Sequence, residues 1–307
     1  MASPPTETVE VREYCKQQLQ KRRKEQLIKK LHLTDQLSLR NPQHAAEFAQ
    51  DIFETMRERE TLYMVSPTYL EKQGSDIKDT SRAFLIEWVI DVQRKFRLLP
   101  ETLFVAVQIC DRYLSTVKCK KSDLHLIGVT SILISTKYEE IYPPEMSELI
   151  SVSENKFKKA EVLAMEFKIL LALDFDFTLP SIYRFLERFR KISILQNDDQ
   201  AFYFAQYIAE ICLLDTFLLR YRPSEIAAAA LILSGGVTKN NRMIWNKDME
   251  KITDMKLEQL FKVIEDVRDF AMEVNPKFLQ TLKYKFSKPQ YCEVANLPMK
   301  FSFQRPS

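Results

Sequence analysis

Glycine is nearly absent from this chain. In 307 residues it occurs only as Gly74, Gly128, Gly235 and Gly236, where an ordinary composition would supply roughly twenty. A phosphate loop or dinucleotide fingerprint needs two or three glycines close together, and no such cluster occurs. Hairpin turns also draw on glycine for positive φ, which argues against sandwiches and barrels. Helices need glycine least, because it weakens their interiors. With 46% hydrophobic residues, among them 20 Phe and 10 Met, the chain reads as helical. Its length suits about two domains of roughly 100–200 residues each.

Polar chemistry is sparse. The three histidines are His32, His44 and His125, and the cysteines are Cys15, Cys110, Cys119, Cys212 and Cys292. No C-x-x-C spacing or paired histidine occurs, so neither a metal nor another cofactor is expected. Odd-numbered, scattered cysteines suit a reducing intracellular compartment. The opening residues lack the pattern of a signal peptide. Ile226–Leu233, the longest uncharged apolar stretch, falls far short of the ~20 residues a membrane span needs. The net charge of +3 is uneven: residues 1–40 hold nine Lys or Arg against five Asp or Glu, and residues 277–307 hold six against one. The middle is therefore mildly acidic, which argues against a nucleic-acid-binding core. The basic knot Lys21-Arg22-Arg23-Lys24 reads either as a solvated helix or tail, or as a nuclear-import signal.

Helix signals run through the rest. Asn41-Pro42 marks a start, followed by Phe48, Ile52, Phe53 and Met56 at helical spacing. From Asp79 onward, Phe84, Leu85, Trp88, Val89, Val92 and Phe96 share a face. Pro100 opens a helix that is apolar almost all round and so belongs at the centre. Ser122 is placed to cap a third helix, whose residues 124–136 carry no charge before Lys137 arrives. Pro143-Pro144 ends it and starts a short helix through Leu149 and Ile150. A residue near Ser153 opens the fifth, with Val162, Met165, Leu170 and Leu173 on its apolar face. Starts near residues 180, 198, 223 and 255 echo the first set roughly 100 residues later. The pattern predicts an all-α fold of two consecutive five-helix domains, in preference to a single ten-helix bundle.

Catalytic motifs are not found. Glu139 and Glu140 are adjacent on a helix and so point in different directions. What draws the eye is charge among apolar residues: Arg82, Asp111, Lys137 and Glu166. Buried pairing and helix-end placement account for them structurally. The functional reading leaves Lys137 and Glu166 awaiting a partner.

These residues carry a resemblance. Arg82-Ala-Phe-Leu-Ile-Glu-Trp88, Glu101-Thr-Leu-Phe, Asp111-Arg-Tyr-Leu-Ser115, Lys137-Tyr-Glu-Glu-Ile-Tyr-Pro-Pro144 and Met165-Glu166 stand in the order of the cyclin box. Tyr221-Arg-Pro-Ser-Glu-Ile226 and Tyr284-Lys-Phe-Ser-Lys288 resemble the second box of mitotic A- and B-type cyclins. The likeness divides the chain into a basic tail (1–40), a helix and linker (41–78), a first box (79–178), a second box (179–285) and a C-terminal tail (286–307).

The resemblance implies a non-catalytic, activating subunit of a cyclin-dependent serine/threonine kinase in cell-cycle progression, mitotic or S-phase, in nucleus and cytoplasm. Such a subunit acts by binding one state of the kinase's mobile helix better than the other. The resemblance assigns kinase contacts to Lys137, Glu166, Ile52, Ile134, Tyr138, Leu170, Phe175 and Phe177. It makes Arg82 and Asp111 an internal ion pair. It places a groove for substrates or inhibitors bearing an arginine-x-leucine element at Phe84, Leu85, Trp88, Asp91 and His125, with His125 facing outward. Ser81 and Phe84 depart from the usual groove pattern. Alternatives are a transcriptional-kinase cyclin or a cyclin-fold transcription adaptor. The adaptor would want a basic core and an N-terminal zinc ribbon, and only Cys15 lies in the first hundred residues.

Overall fold

The computed structural model describes residues 14, 18, 22, 31–72, 76–238, 244–299 and 301. Apart from Arg22, the basic knot near residue 22 lies outside them. Residues 1–55 and 56–307 form two compact units. Among the described residues there are fourteen α-helices and no strand.

In the first unit, α1 (Leu33–Ser38) is capped by His32. The helix expected from Asn41 does not form directly. Asn41 caps a 3-10 turn, Pro42–His44, and Ala45 then turns left-handed at φ 43° before a second 3-10 turn. The α-helix α2 begins only at Ala49 and runs to Arg59.

The second unit holds α3 (Tyr69–Lys72), then α4 (Asp79–Phe96), α5 (Pro100–Thr116), α6 (Leu124–Glu139), α7 (Met146–Val152) and α8 (Lys159–Ala172). The second five are α9 (Ile182–Ile192), α10 (Asp199–Cys212), α11 (Pro223–Thr238), α12 (Lys247–Thr253) and α13 (Leu257–Glu273), with α14 (Gln280–Phe286) after them. The helical repeat expected from the sequence is present. Helix α6, uncharged from residue 124 to 136, packs against α4, α5, α7 and α8, and its counterpart α11 packs against α9, α10 and α13. Each is the hub of its bundle because it is apolar on every side. Ala227, Ala228, Ala229 and Ala230 are all fully buried, so neighbouring backbones approach α11 closely. Gly128 serves the same end on α6: a Cβ there would lie 2.6 Å from Leu85 Cδ1.

Two expected helix starts differ. Ser122 donates to the Asp123 carboxylate instead of capping, and α6 is entered through a 3-10 turn. Ser153 closes α7 instead of opening the next helix; Glu154 and Asn155 follow in left-handed geometry, and α8 begins at Lys159. Several caps come from far along the chain. Glu140 accepts from Leu99 N at 2.7 Å and Thr102 Oγ1 at 2.6 Å, closing the start of α5. Glu60 accepts from Ser224 N at 2.9 Å, closing the start of α11. These bonds satisfy amides that helix geometry leaves without partners.

The two bundles are tied by polar side chains. Ser181 caps α9 and donates to Glu101 Oε2 at 2.6 Å. Burial, resisted by the Ser181 hydrogen bond and Arg184, pushes the Glu101 carboxyl up to about 7. On the other side, Lys285 of α14 is fully enclosed. Its Nζ donates to both carboxylate oxygens of Glu210 at 2.7 Å and to Gln93 Oε1 at 2.9 Å. Burial holds the Lys285 pKa below the usual lysine value, and Glu210 offsets part of that.

Candidate functional site

The residues of the second unit that the resemblance assigns to a kinase contact lie at the end of α6, along α8 and in the turn after it. Lys137 occupies the last turn of α6, where the helix dipole favours a cation. It does not wait for a partner: its Nζ donates to Glu166 Oε1 at 2.6 Å, with the Lys137 side chain 49% exposed and Glu166 12%. Such a partly exposed pair contributes about 0.2–1 kcal/mol to the fold, so both charges remain available to a new partner.

The apolar positions divide into two groups. Ile134 and Phe177 are buried within the bundle, whereas Tyr138 and Phe175 are exposed and Leu170 is half-buried. Tyr138 meets Phe177 edge-on, with ring centroids 6.1 Å apart, so Phe177 supports the exposed ring from below. Ile52, on α2 in the first unit, is also exposed. Sequence reasoning missed Leu163, Phe167 and Leu171, which are exposed at four-residue spacing on α8. The opposite stripe of that helix, Val162, Met165 and Ile169, is buried. A surface helix apolar on both faces was the available signal, since one stripe satisfies a core. Ile141 and Tyr142, 85% and 91% exposed, extend the apolar surface beyond α6. Large apolar side chains left exposed along one helix and the residues near it make this region the candidate interaction surface.

The turn that presents Phe175 is strained and clamped. Asp174 and Phe175 are left-handed, at φ 50° and 56°, a conformation costing a non-glycine residue about 1–2 kcal/mol. Arg59 Nη2 bonds Asp176 Oδ2 at 3.0 Å and Arg59 Nε bonds Thr178 O at 3.2 Å. Arg112 Nη1 bonds Asp176 O at 2.7 Å. Hydrogen bonds from Thr178 keep the Asp176 carboxyl below its usual range, with Arg59 adding to the effect.

Arg82 and Asp111 form the internal pair: Nε to Oδ1 and Nη2 to Oδ2, both 2.6 Å. Two partners were not legible in the sequence. Tyr69 OH donates to Asp111 Oδ1 at 2.9 Å, and Arg82 Nη1 donates to Leu213 O, in the second bundle, at 2.9 Å.

The groove positions lie on α4 and at the start of α6, with two differences from expectation. Leu85 is buried beneath Gly128 instead of lining a surface. His125 is not turned simply outward: its ring stands edge-on to Trp88 at 4.5 Å and to Phe157 at 5.6 Å, and its Nε2 is buried without a hydrogen bond. Burial holds its pKa below the usual imidazole value. Phe84 is exposed and meets Phe278 edge-on at 4.8 Å. Asp91 is held by Arg94 at 2.7 Å and Lys95 at 3.0 Å.

Tandem five-helix bundles with an apolar face beside an ion pair define a two-box, all-helical binding scaffold. Comparison with known proteins agrees: "Cyclin, N-terminal domain" matches residues 51–178 and "Cyclin, C-terminal domain" matches residues 180–300. The chain belongs to the cyclin family. It is 35% identical over 257 residues to G2/mitotic-specific cyclin-B of Marthasterias glacialis, covering 84% of this chain and 65% of that protein. It is 34% identical over 276 residues to Cyclin-A1-4 of Oryza sativa subsp. japonica, covering 87% and 77%. The chain spans between half and two thirds of the length of several other curated relatives, for example 51% of Cyclin-A1-1 from the same rice and 62% of the cyclin-B of Patella vulgata. Among solved structures, a viral cyclin from herpesvirus saimiri superposes with a TM-score of 0.65 at 23% identity, over 74% of this chain and 99% of that one. No helix among the described residues is long and apolar enough to cross a membrane.

Proposed function

We propose that this chain is the activating regulatory subunit of a cyclin-dependent serine/threonine kinase in cell-cycle progression, working in mitosis or S phase, in nucleus and cytoplasm. The carrying observation is the exposed face of α8. Leu163, Phe167 and Leu171 are exposed on the helix that carries Glu166, Phe175 is exposed in the turn after it, and Tyr138 is exposed next in sequence to Lys137, Glu166's partner, and the family it belongs to binds kinases through its first box. Apolar anchors supply affinity, and the charged pair exchanges its internal bond for bonds to the kinase's mobile helix. The preset turn at Phe175 lowers the ordering cost of association. Stabilising the active position of that helix is enough to activate; no group of this chain enters the phosphoryl transfer. The likeness to named A- and B-type cyclins favours the cell cycle over transcription.

Calorimetric titration with a purified cyclin-dependent kinase catalytic subunit tests the reading. Lys137→Ala with Glu166→Ala should leave helical circular dichroism unchanged and weaken binding on the order of a hundredfold, two charge-assisted bonds at roughly 1.5–3 kcal/mol each. Unchanged affinity removes both residues from the site. Absence of binding by the unmutated chain to any such kinase sinks the proposal.

A further inference from the structure

The two boxes do not close completely on each other. Between them lies a cavity of about 100 Å³. Its inner wall is apolar: Phe104 of α5 from the first box, and Ile182, Leu213, Leu218 and Ile226 from the second, all buried. Tyr63 and Met64 also line it and are 43% and 41% exposed, so the cavity reaches solvent beside them. Ligand sites favour such junctions between domains.

The polar groups in the wall settle what it accepts. Arg82 directs its donors to Asp111 and Leu213 O. Both oxygens of Glu60 accept from Ser224, and Oε1 accepts from Arg57 as well. Asp215 Oδ1 accepts from Phe217 N at 3.1 Å, and Gln108 Nε2 donates to Pro180 O at 3.2 Å. The Arg112 guanidinium donates to Asp176 O and stands 4.6 Å from the Tyr63 ring centroid. Burial pushes the Glu60 and Asp215 carboxyls above their usual range and Arg112 below its own, so the surroundings disfavour charge of either sign. An entering ion would give up its water to meet charges that are already engaged, whereas an apolar body gains by leaving water. Size narrows the choice further. A cavity of roughly 150 Å³ lined by Leu, Ile and Phe binds benzene or xenon, so this one, open on one side, suits a single ring or a branched alkyl group.

We propose that the junction of the two boxes is a binding site for a small, uncharged, apolar ligand. Because the walls come from both boxes, an occupant touches both and stabilises their packing together. None of the residues assigned to the kinase contact or to the groove lines the cavity, so the inference stands independently of both.

The test uses the full chain without any kinase and three probes that share one ring: para-fluorotoluene, para-fluorobenzoate and para-fluorobenzylammonium. Fluorine NMR titration should show para-fluorotoluene binding saturably and at least tenfold more tightly than either ion. The melting temperature should rise with its concentration. Leu218→Phe, which fills the cavity from its buried wall, should lower that affinity at least tenfold. If Leu218→Phe melts early, Met64→Trp, on the half-exposed side, should weaken binding in a folded chain. Absence of saturable para-fluorotoluene binding overturns the proposal, as do equal or tighter binding of either ion and unchanged affinity in a folded variant.

Discussion

Replacing Arg82 with alanine should cost about 4 kcal/mol of stability. The Arg82 and Asp111 side chains are 1% and 3% exposed, and the guanidinium donates to both carboxylate oxygens and to Leu213 O. Removing it leaves Asp111 with only the Tyr69 hydroxyl among these three groups and strips Leu213 O of its donor. Breaking a buried ion pair by deleting one partner costs roughly 3–5 kcal/mol, and an orphaned carbonyl adds about 1–3 kcal/mol. These terms overlap, and Asp111 can escape part of the penalty by taking up a proton. A loss near 4 kcal/mol is a large share of the 5–15 kcal/mol typical of folded domains. The double replacement Arg82→Met with Asp111→Leu removes both charges and should cost less than Arg82→Ala alone. Urea unfolding followed by helical circular dichroism measures the unmutated chain, Arg82→Ala, the single replacements Arg82→Met and Asp111→Leu, and the double variant. A loss below about 1 kcal/mol for Arg82→Ala, or a double variant whose cost equals the sum of the two single replacements, refutes the reasoning, because each result means the charges are not coupled.

Glu101 predicts a pH dependence. Its carboxyl rises from 4.5 in the unfolded chain to about 7 in the folded one, so folding holds its proton more tightly. That stabilisation is complete below about pH 4.5, is lost as pH climbs through about 7, and amounts to something on the order of 3 kcal/mol. Glu101→Gln should flatten the corresponding part of the stability curve; an unchanged slope between the two values would rule out Glu101 as the source. His125→Ala removes an unpaired buried nitrogen along with its two ring contacts. It should therefore shift stability by under about 1 kcal/mol, and a larger loss by the same urea assay would show the ring to be core packing. Burial pushes the thiols of Cys110 and Cys119 up to about 12 and about 11, and that of Cys212 higher still. Among the described cysteines, Cys292 should therefore react first with a maleimide, as peptide mass spectrometry would reveal.

Helix content, the internal repeat and the two largely apolar hub helices follow from local sequence, because glycine scarcity and 3.6-residue periodicity act over one or two turns. The Arg82–Asp111 pair was legible through the resemblance, which makes the two residues an internal ion pair. Distant caps were not: nothing near Glu60 or Glu140 in sequence says that each closes a helix start elsewhere. Nor does Lys285, within a basic C-terminal segment, announce that it is buried against Glu210 and Gln93. Burial and pairing depend on which elements meet, and only the packed tertiary structure decides that. The same holds for α8. Its sequence makes both stripes apolar, but only packing determines that Val162, Met165 and Ile169 enter the core while Leu163, Phe167 and Leu171 stay outside. Scarcity of glycine also left a trace that sequence reasoning could not locate. Among the described residues, nine non-glycine positions, Phe175 among them, take left-handed backbone geometry, and surrounding contacts such as the Arg59 and Arg112 clamp hold Phe175's turn in a shape its own residues do not prefer.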